Sequence, residues 1–430
     1  MQLGTAGNTS GQSIYTQGSM YQDIPGGVQV YTFSDLGLST AVTNMQTVVD
    51  ALPGPGIIQL PGNGWVGTIP NFSHHGSNFG IYQPNLLGLL GVINGGTLNT
   101  QVQMAPSVFT QAQITTTQNY VSGSGTTQIA CYHINNTSAH YIAGINFVGA
   151  DQQQVQDYTG DGPAIHGGFN LNHAGANSIF QNCLLQGFGR ADDHAPPGEV
   201  GNWSESHTVG LTLRRCEVDG RLPNSGSDPY AMGWRRGGGI QWNAASTFLV
   251  EDVYHHDTWA SGFTASFTST PTSTSSESNN FTTRRLHVEH NASHGTSSVT
   301  GQNSGYFPPL NMEFNYGTIH HYQPHLNSDG WGGTDAHIKL WIYSGSNGWS
   351  ADPNMQLYVH QPVWETYGPN DNGCFSIYMD GLSSNNSANI PIVYLTSNES
   401  NPATAYQISG SGAVPGNVTT ANNYYVLRYT

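Results

Sequence analysis

Lysine is almost absent from this chain of 430 residues, where Lys339 stands alone beside nine arginines and 26 acidic residues. The formal charge at pH 7 is therefore −16. Because proteins bind nucleic acid and anionic membranes through lysine and arginine, nucleic acid is not an expected partner. The 18 histidines gain charge below about pH 6.5, so binding of another partner could depend on pH.

Charged residues of both signs make up only 8% of the chain. Helical surfaces are usually built from Glu, Lys and Arg, so this scarcity argues against a helical protein. Glycine (54 residues) with abundant Ser, Thr and Asn favours short strands and turns. No run approaches 18 apolar residues, and the N-terminus lacks the basic and apolar regions of a secretory signal. We therefore expect neither membrane insertion nor signal-dependent export.

Cofactor motifs are missing too. There is no GxSxG elbow, no GxxxxGK phosphate loop and no zinc-ligand spacing. We expect no cofactor and no metal, with calcium at the carboxylates of Asp192 and Asp193 as the alternative. The four cysteines form no CxxC pair, and Cys183 and Cys216 fit small buried apolar positions better than a disulfide.

A short pattern recurs between Ile142 and Val288: apolar, two of any type, apolar, one of any type, apolar. It fits Ile142, Ile145, Phe147; Phe180, Cys183, Leu185; Leu213, Cys216, Val218; Val250, Val253, His255; and Thr283, Leu286, Val288. Successive copies of the pattern begin 38, 33, 37 and 33 residues apart, and such spacing is typical of stacked repeats. Each repeat is too short to bury an apolar face alone, so the pattern predicts an all-β solenoid of parallel strands, a β-helix with long loops between coils.

The chain divides into three predicted regions. Residues 1–36 are polar and glycine-rich, and we expect them to form an N-terminal arm that docks on other proteins. Residues 37–365 form the predicted β-helix, opened by a capping helix over Ser39–Leu52 that has its apolar residues on one face. Residues 366–430 are either terminal coils or a separate β cap. The segment Ser266–Asn280 is predicted to be a flexible exposed loop.

Residues next to inward ones point outward in a strand. The last three repeats therefore predict one outward column of Glu217, Tyr254 and His287 and a second of Asp219, His256 and Glu289. Strands stack about 4.8 Å apart, so Asp219 and Glu289 would lie roughly 9 to 10 Å apart. That is near the upper limit for two carboxylates that hydrolyse a glycosidic bond with inversion.

His256 would then shift the pKa of either carboxylate or act as a base itself. Two alternatives stay open. These side chains could be ordinary solvated groups, or the repeat at Val250 could slip by one residue, which would turn Tyr254 inward and exchange His255 with His256.

Two predicted loops suit sugar binding, because aromatic faces cover the C–H side of a pyranose while polar groups bind its hydroxyls. Gly189–His207 has Asp192 and Asp193. Asp228–Trp242 has Tyr230, Trp234 and Trp242. Packing of these aromatics against their own coil is the alternative. A uronate lyase would need more basic residues than this acidic chain offers, so a neutral glycan is favoured.

The segments DHAPPGEVGNW, LRRCEVDGR, VEDVYHHD and RRLHVEHN resemble the β-helical minor tail proteins of actinobacterial phages, and the similarity extends over roughly residues 30–430. The resemblance implies a pectate-lyase-like, right-handed β-helix on a virion tail that faces the host envelope, and no established catalytic residues. The arm would dock on other tail proteins. Whether the chain forms a homotrimer, as tail spikes of this architecture often do, stays open.

Three functions follow as hypotheses. The first is adhesion to a cell-envelope polysaccharide of the host, with or without its cleavage. The second is a glycoside hydrolase, or depolymerase, that uses Asp219, Glu289 and His256. The third is a structural spacer of the tail.

Overall fold

Parallel strands dominate the described part of the computed structural model of this protein, and helix is almost absent from that part. The structure describes residues 21–69, 73–75, 78–81, 83–104, 129–133, 138–148, 169–171, 177–186, 198–200, 211–219, 240–243, 247–256, 263–266, 280–289, 310–313, 318–328, 338–343, 356–361, 363–366, 375–380, 392–396 and 406–409. Among these residues, no helix is long and apolar enough to cross a membrane. The expectation of an all-β chain with long parallel sheets is confirmed.

Three large sheets, called A, B and C, contain most of the described strands. Sheet A consists of Val30–Thr32, Gly56–Gln59, Leu86–Leu90, Tyr141–Ala143, Ser178–Gln181, Leu211–Arg214, Thr247–Glu251, Asn280–Arg284, Thr318–Tyr322, Gln356–His360 and Ile392–Thr396. Sheet B consists of Trp65–Ile69, Thr100–Met104, Asn146–Val148, Leu184–Gln186, Glu217–Asp219, Tyr254–His256, His287–Glu289, His325–Ser328 and Val363–Thr366. Sheet C consists of Ser73–His75, Asn78–Ile81, Ile129–His133, Phe169–Leu171, Gly198–Val200, Ile240–Asn243, Phe263–Ser266, Leu310–Glu313, Ile338–Tyr343, Phe375–Asp380 and Tyr406–Ser409.

Successive strands of the chain belong to the three sheets in a fixed, repeating order. From Ile129–His133 to Val363–Thr366, successive strands belong to sheets C, A and B in turn, and each pairs in parallel with the strand one round earlier. The antiparallel pairs among the described strands are Ser73–His75 with Asn78–Ile81 and the small hairpin of Ile93–Asn94 with Thr97–Leu98. This order is compatible with a parallel β-helix, in which each round is one repeat.

The register of sheets A and B confirms the predicted repeat. In sheet A, Ile142 pairs with Phe180, and the series continues through Leu213, Val250 and Thr283. In sheet B, the partners are Phe147, Leu185, Val218, His255 and Val288. All ten side chains are buried. Rings from both sheets meet in this interior, since Phe147 stacks on Phe180 with centroids 5.8 Å apart.

The repeat continues beyond Val288. His321 and Val359 extend the buried row of sheet A at intervals of 38 residues, and Leu326 extends that of sheet B. His321 has an imidazole where Ile142, Phe180, Leu213 and Val250 have apolar side chains, and its Nδ1 lies 2.8 Å from the hydroxyl of Thr283 in the preceding repeat. One ring nitrogen of this inward residue thus has a hydrogen-bond partner in the row, while its buried Nε2 has none among the described residues.

A left-handed residue sits at the corner between sheets A and B in each repeat. Asn182, Arg215, Asp252 and Arg285 have φ between 51° and 54°. Each backbone N–H here donates to a carbonyl of the following repeat, as from Arg215 to Glu251 at 2.8 Å. Side chains also link successive corners: the Arg285 guanidinium donates to Asp252 at 2.5 and 3.0 Å. These bonds satisfy the backbone N–H groups at the corner and link each repeat to the next.

The first helix is shorter than predicted. It spans Met45–Asp50, and Asn44, not Ser39, is its N-cap, because the Asn44 side chain accepts from the amides of Gln46 and Thr47. The carbonyl of Ser39 instead accepts from the amide of Val42 in a preceding turn. Met45, Val48 and Val49 of the predicted apolar face are buried.

The described part of the predicted arm packs on the body. Val30–Thr32 is the edge strand of sheet A, and Ile24 and Val28 pack against a buried cluster around Ile57 and Tyr141. Residues 1–20 lie outside the described residues, so docking to other proteins stays a prediction.

The cysteine prediction is confirmed. Cys183 and Cys216 are both buried and free, in adjacent repeats. Burial strongly raises the pKa of the Cys183 thiol.

Candidate functional site

The two predicted columns lie side by side on sheet B. Glu217 pairs with Tyr254 and Tyr254 with His287, while Asp219 pairs with His256 and His256 with Glu289. The strand alternation points these side chains away from the buried row. The repeat sets which residues of successive strands pair, and this pairing aligns the side chains of each column.

The slipped alternative for this repeat is excluded by the register. His255 pairs with Val218 and Val288 and is 1% exposed, so it points inward, whereas Tyr254 and His256 keep their places in the outer columns.

His256 lies between two carboxylates of the preceding strand. Its Nε2 is 3.1 Å from Glu217 Oε1, and its Nδ1 is 4.0 Å from Asp219 Oδ1. Gln186, one repeat earlier in the same column as Asp219, donates to Asp219 Oδ2 at 3.4 Å. Three successive strands thus contribute to one polar group.

Glu289 is the centre of a second group. The Tyr254 hydroxyl donates to Glu289 Oε1, and His287 Nε2 lies 3.3 Å from Glu289 Oε2. Rings connect the two groups, because Tyr254 stacks on His256 with centroids 4.2 Å apart and contacts His287 at 5.0 Å. His325 prolongs the series by stacking on His287 at 4.1 Å.

Exposure divides these residues into two sets. The side chains of Asp219 and His256 are only 4% exposed, and Tyr254 is 5% exposed. Glu217, His287 and Glu289 are 24%, 14% and 18% exposed. The alternative of ordinary solvated groups is therefore wrong for Asp219 and His256, which are covered although they point away from the repeat's interior.

Three groups in this site have the chemistry of metal ligands. One ligand atom each from Glu217, Asp219 and His256 can be chosen so that all lie within 4.8 Å of one another. Two carboxylates and an imidazole form a donor set that proteins use for divalent ions.

No family model, curated protein or solved structure matches this chain. What the site can do therefore has to follow from its own residues.

The other predicted site residues are not part of this network in the part of the chain that the structure describes. Asp192, Asp193, Tyr230 and Trp234 lie outside the described residues. Trp242 belongs to a strand of sheet C, Ile240–Asn243, and not to a loop as predicted. Gly198–Val200, inside the other predicted loop, is likewise a strand of that sheet. Both ranges contain strand residues because sheet C adds a third strand to each repeat, which the two-strand pattern does not reveal.

Sequence reasoning missed two members of the network, Gln186 and His325. Gln186 lies 33 residues before Asp219, and His325 lies 38 residues after His287. Both spacings equal repeat lengths, so extending the columns by one repeat in each direction would have found them.

A second group of rings, also missed, lies on the outer face of sheet A. His320 stacks on Tyr358 at 4.5 Å, and Tyr322 stacks on His360 at 4.4 Å, with ring planes within 9° of parallel. Burial lowers the pKa of both His320 and His360. His320 and Tyr322 belong to the same repeat as His325, one corner away from the sheet B network.

Proposed function

We propose that this chain binds a neutral cell-envelope polysaccharide through the outer face of sheet B, as a receptor-binding component of a phage tail. The observation that carries the proposal is the single connected network of Glu217, Asp219, Tyr254, His256, His287 and Glu289. The resemblance to minor tail proteins supports the location on a virion. The strongly negative charge favours a glycan without acidic groups.

The proposal includes a closed, right-handed parallel β-helix as the scaffold. The rotation of strands through sheets C, A and B supports it, as does the interior shared by sheets A and B. The helix Met45–Asp50 would cap this scaffold. It adjoins Trp65–Ile69, the first strand of sheet B, where the amide of Thr68 donates to the carbonyl of Thr43 at 2.6 Å.

The exposure of each side chain assigns its role in binding. Glu217 and Glu289 reach solvent and would bind sugar hydroxyls, whereas both ring nitrogens of His287 are buried and its exposed part is the carbon edge of the ring. Tyr254, His256 and Asp219 are covered, so they position the exposed groups. Carboxylates held on a sheet lose little conformational freedom on binding, which favours recognition of a polar ligand.

Hydrolysis is the second candidate, favoured by the placement of Asp219 and Glu289 in one column, two strands apart, with roughly 9.6 Å between their backbones. Glu289 is the more exposed, so it would accept a proton from the attacking water. Asp219 would donate a proton to the glycosidic oxygen as the C–O bond breaks. Because Asp219 is 4% exposed, a sugar reaches it only if its cover moves, and this places binding ahead of hydrolysis.

Binding is tested with purified chain and actinobacterial cell-envelope polysaccharide. Glu289→Gln removes a charged acceptor, so we expect affinity to fall about 10- to 100-fold, the equivalent of about 1.5 to 3 kcal/mol. Tyr254→Phe keeps the ring and removes only the hydroxyl that holds Glu289, so about a fivefold loss is expected. Calorimetry or surface plasmon resonance measures both.

Glu251→Gln is the matched control, because Glu251 is a partly exposed carboxylate on the outer face of sheet A. Unchanged affinity for Glu251→Gln with weaker binding by Glu289→Gln is the expected outcome. Equal affinities for all variants would show that sheet B does not take part in recognition of the polysaccharide. New reducing ends during incubation would support hydrolysis, and absence of both binding and cleavage would favour the spacer.

A further inference from the structure

Glu217, Asp219 and His256 bring two carboxylates and one imidazole together from two adjacent strands of sheet B. Asp219 and His256 are almost fully covered, whereas exposed acidic groups come together on many protein surfaces without an ion. We propose that these three side chains bind one divalent transition-metal ion, with zinc as the best match. The proposal does not depend on the glycan.

The distances suit zinc ligands. A tetrahedral zinc ion with bonds of about 2.0 to 2.1 Å has ligand atoms roughly 3.3 Å apart. Glu217 Oε1 and His256 Nε2 are already 3.1 Å apart. The third ligand atom lies within 4.8 Å of the others. Asp219 Oδ1 is 4.0 Å from Nδ1, the other ring nitrogen of His256, so the Asp219 carboxylate has to turn toward Nε2 to complete the set. A fourth position is left for water or a hydroxyl group of a ligand.

The surroundings orient the ligands. Gln186 donates to Asp219 Oδ2, the oxygen other than the one nearest His256. Stacking on Tyr254 fixes the plane of the His256 ring. Outer contacts of this kind hold metal ligands in position in known sites.

The donor set also selects among ions. Calcium takes six to eight oxygen ligands, and magnesium prefers an octahedron of oxygens with several waters. An imidazole favours zinc and its neighbours, and zinc binds such sites more tightly than manganese. Two carboxylates supply the charge that balances a divalent ion.

The experiment titrates zinc chloride into chelator-treated full-length chain by calorimetry. We expect a site of one zinc per chain that binds more tightly than calcium. Cobalt(II) in its place should give the visible spectrum of a four-coordinate ion. Glu217→Gln and His256→Gln should each weaken zinc binding by more than about a hundredfold, because loss of an outer contact alone costs about 10- to 100-fold.

His320→Gln is the control, because zinc could also bind the ring group of sheet A. It should leave the site on sheet B unchanged. Glu217 is 24% exposed, so its variant keeps the test valid if His256→Gln fails to fold. Absence of zinc binding by the original chain, or binding unaffected in Glu217→Gln, would overturn the proposal. Hydrogen bonding between the imidazole and the two carboxylates would then explain the cluster.

Discussion

Acidification from pH 7.5 to pH 5 is expected to lower the free energy of unfolding by about 4 kcal/mol. The cause is two buried histidines, His140 and His321. Burial lowers the pKa of each to about 3, from 6.5. Below pH 6.5 the unfolded chain takes up protons at these imidazoles, whereas the folded chain does not until about pH 3. Stability therefore falls as the pH decreases through this window.

Each histidine contributes about 2 kcal/mol at pH 5, because 1.36 kcal/mol per pH unit acts over about 1.5 units. Urea unfolding at the two pH values measures the sum. The double variant Thr283→Val with His321→Val removes the imidazole together with its hydroxyl partner. Its free energy of unfolding should fall between pH 7.5 and pH 5 by about half as much as that of the original chain. His360→Gln, at a partly exposed ring, should change it less. A loss of full size in the double variant would show that His321 does not cause it.

Gly88→Ala is expected to destabilise the fold by about 3 kcal/mol. Gly88 lies in the strand Leu86–Leu90 and pairs with Tyr141. A Cβ at this position would be 1.9 Å from the Tyr141 carbonyl oxygen and 2.8 Å from its carbon. Both are backbone atoms of a paired strand, so no side chain can move aside, and the two strands have to separate.

Gly54→Ala is the matched control, since a Cβ there meets no atom within 4 Å. We expect its unfolding midpoint to stay close to that of the original chain. Thermal unfolding of both variants makes the comparison. Equal stability of the two would mean that Gly88 and Tyr141 are not neighbours in the folded chain.

The repeat and the outer columns could be predicted from sequence because stacked strands impose one register. Val218, His255 and Val288 line up with their apolar partners, and this fixes Asp219, His256 and Glu289 beside them. The predicted β-helix includes the later repeats, but the pattern could not be followed past Val288 because His321 takes an inward place that an apolar pattern assigns to hydrophobic residues. The hydrogen bond to Thr283 that makes this possible depends on the fold.

The earlier repeats were hidden for another reason. Between Leu89 in sheet A and Val102 in sheet B, the hairpin of Ile93–Asn94 and Thr97–Leu98 is inserted at the corner. An insertion there lengthens the pattern without disturbing the pairing of either strand with the next repeat. A search for fixed spacing therefore fails although the strands are in place.

The burial of Asp219 and His256 was not predictable from the columns. Alternation assigns a residue to one face of a strand, but it does not show what covers that face. The hydroxyl of Tyr254 on Glu289 and the ring of Tyr254 on His256 likewise depend on side-chain rotations. These contacts turn six aligned residues into one network.

Cross-linking of two register partners tests the stacking of repeats most directly. Leu249 and Thr282 are partners on the outer face of sheet A. Parallel neighbours are about 4.8 Å apart, within the range for a disulfide. Leu249→Cys with Thr282→Cys should form a disulfide on mild oxidation, seen as a linked peptide by mass spectrometry. Leu249→Cys with Arg284→Cys, about 8 Å apart by strand geometry, should not. The reverse result, or a link in neither pair, would contradict the stacked repeats and with them the site on sheet B.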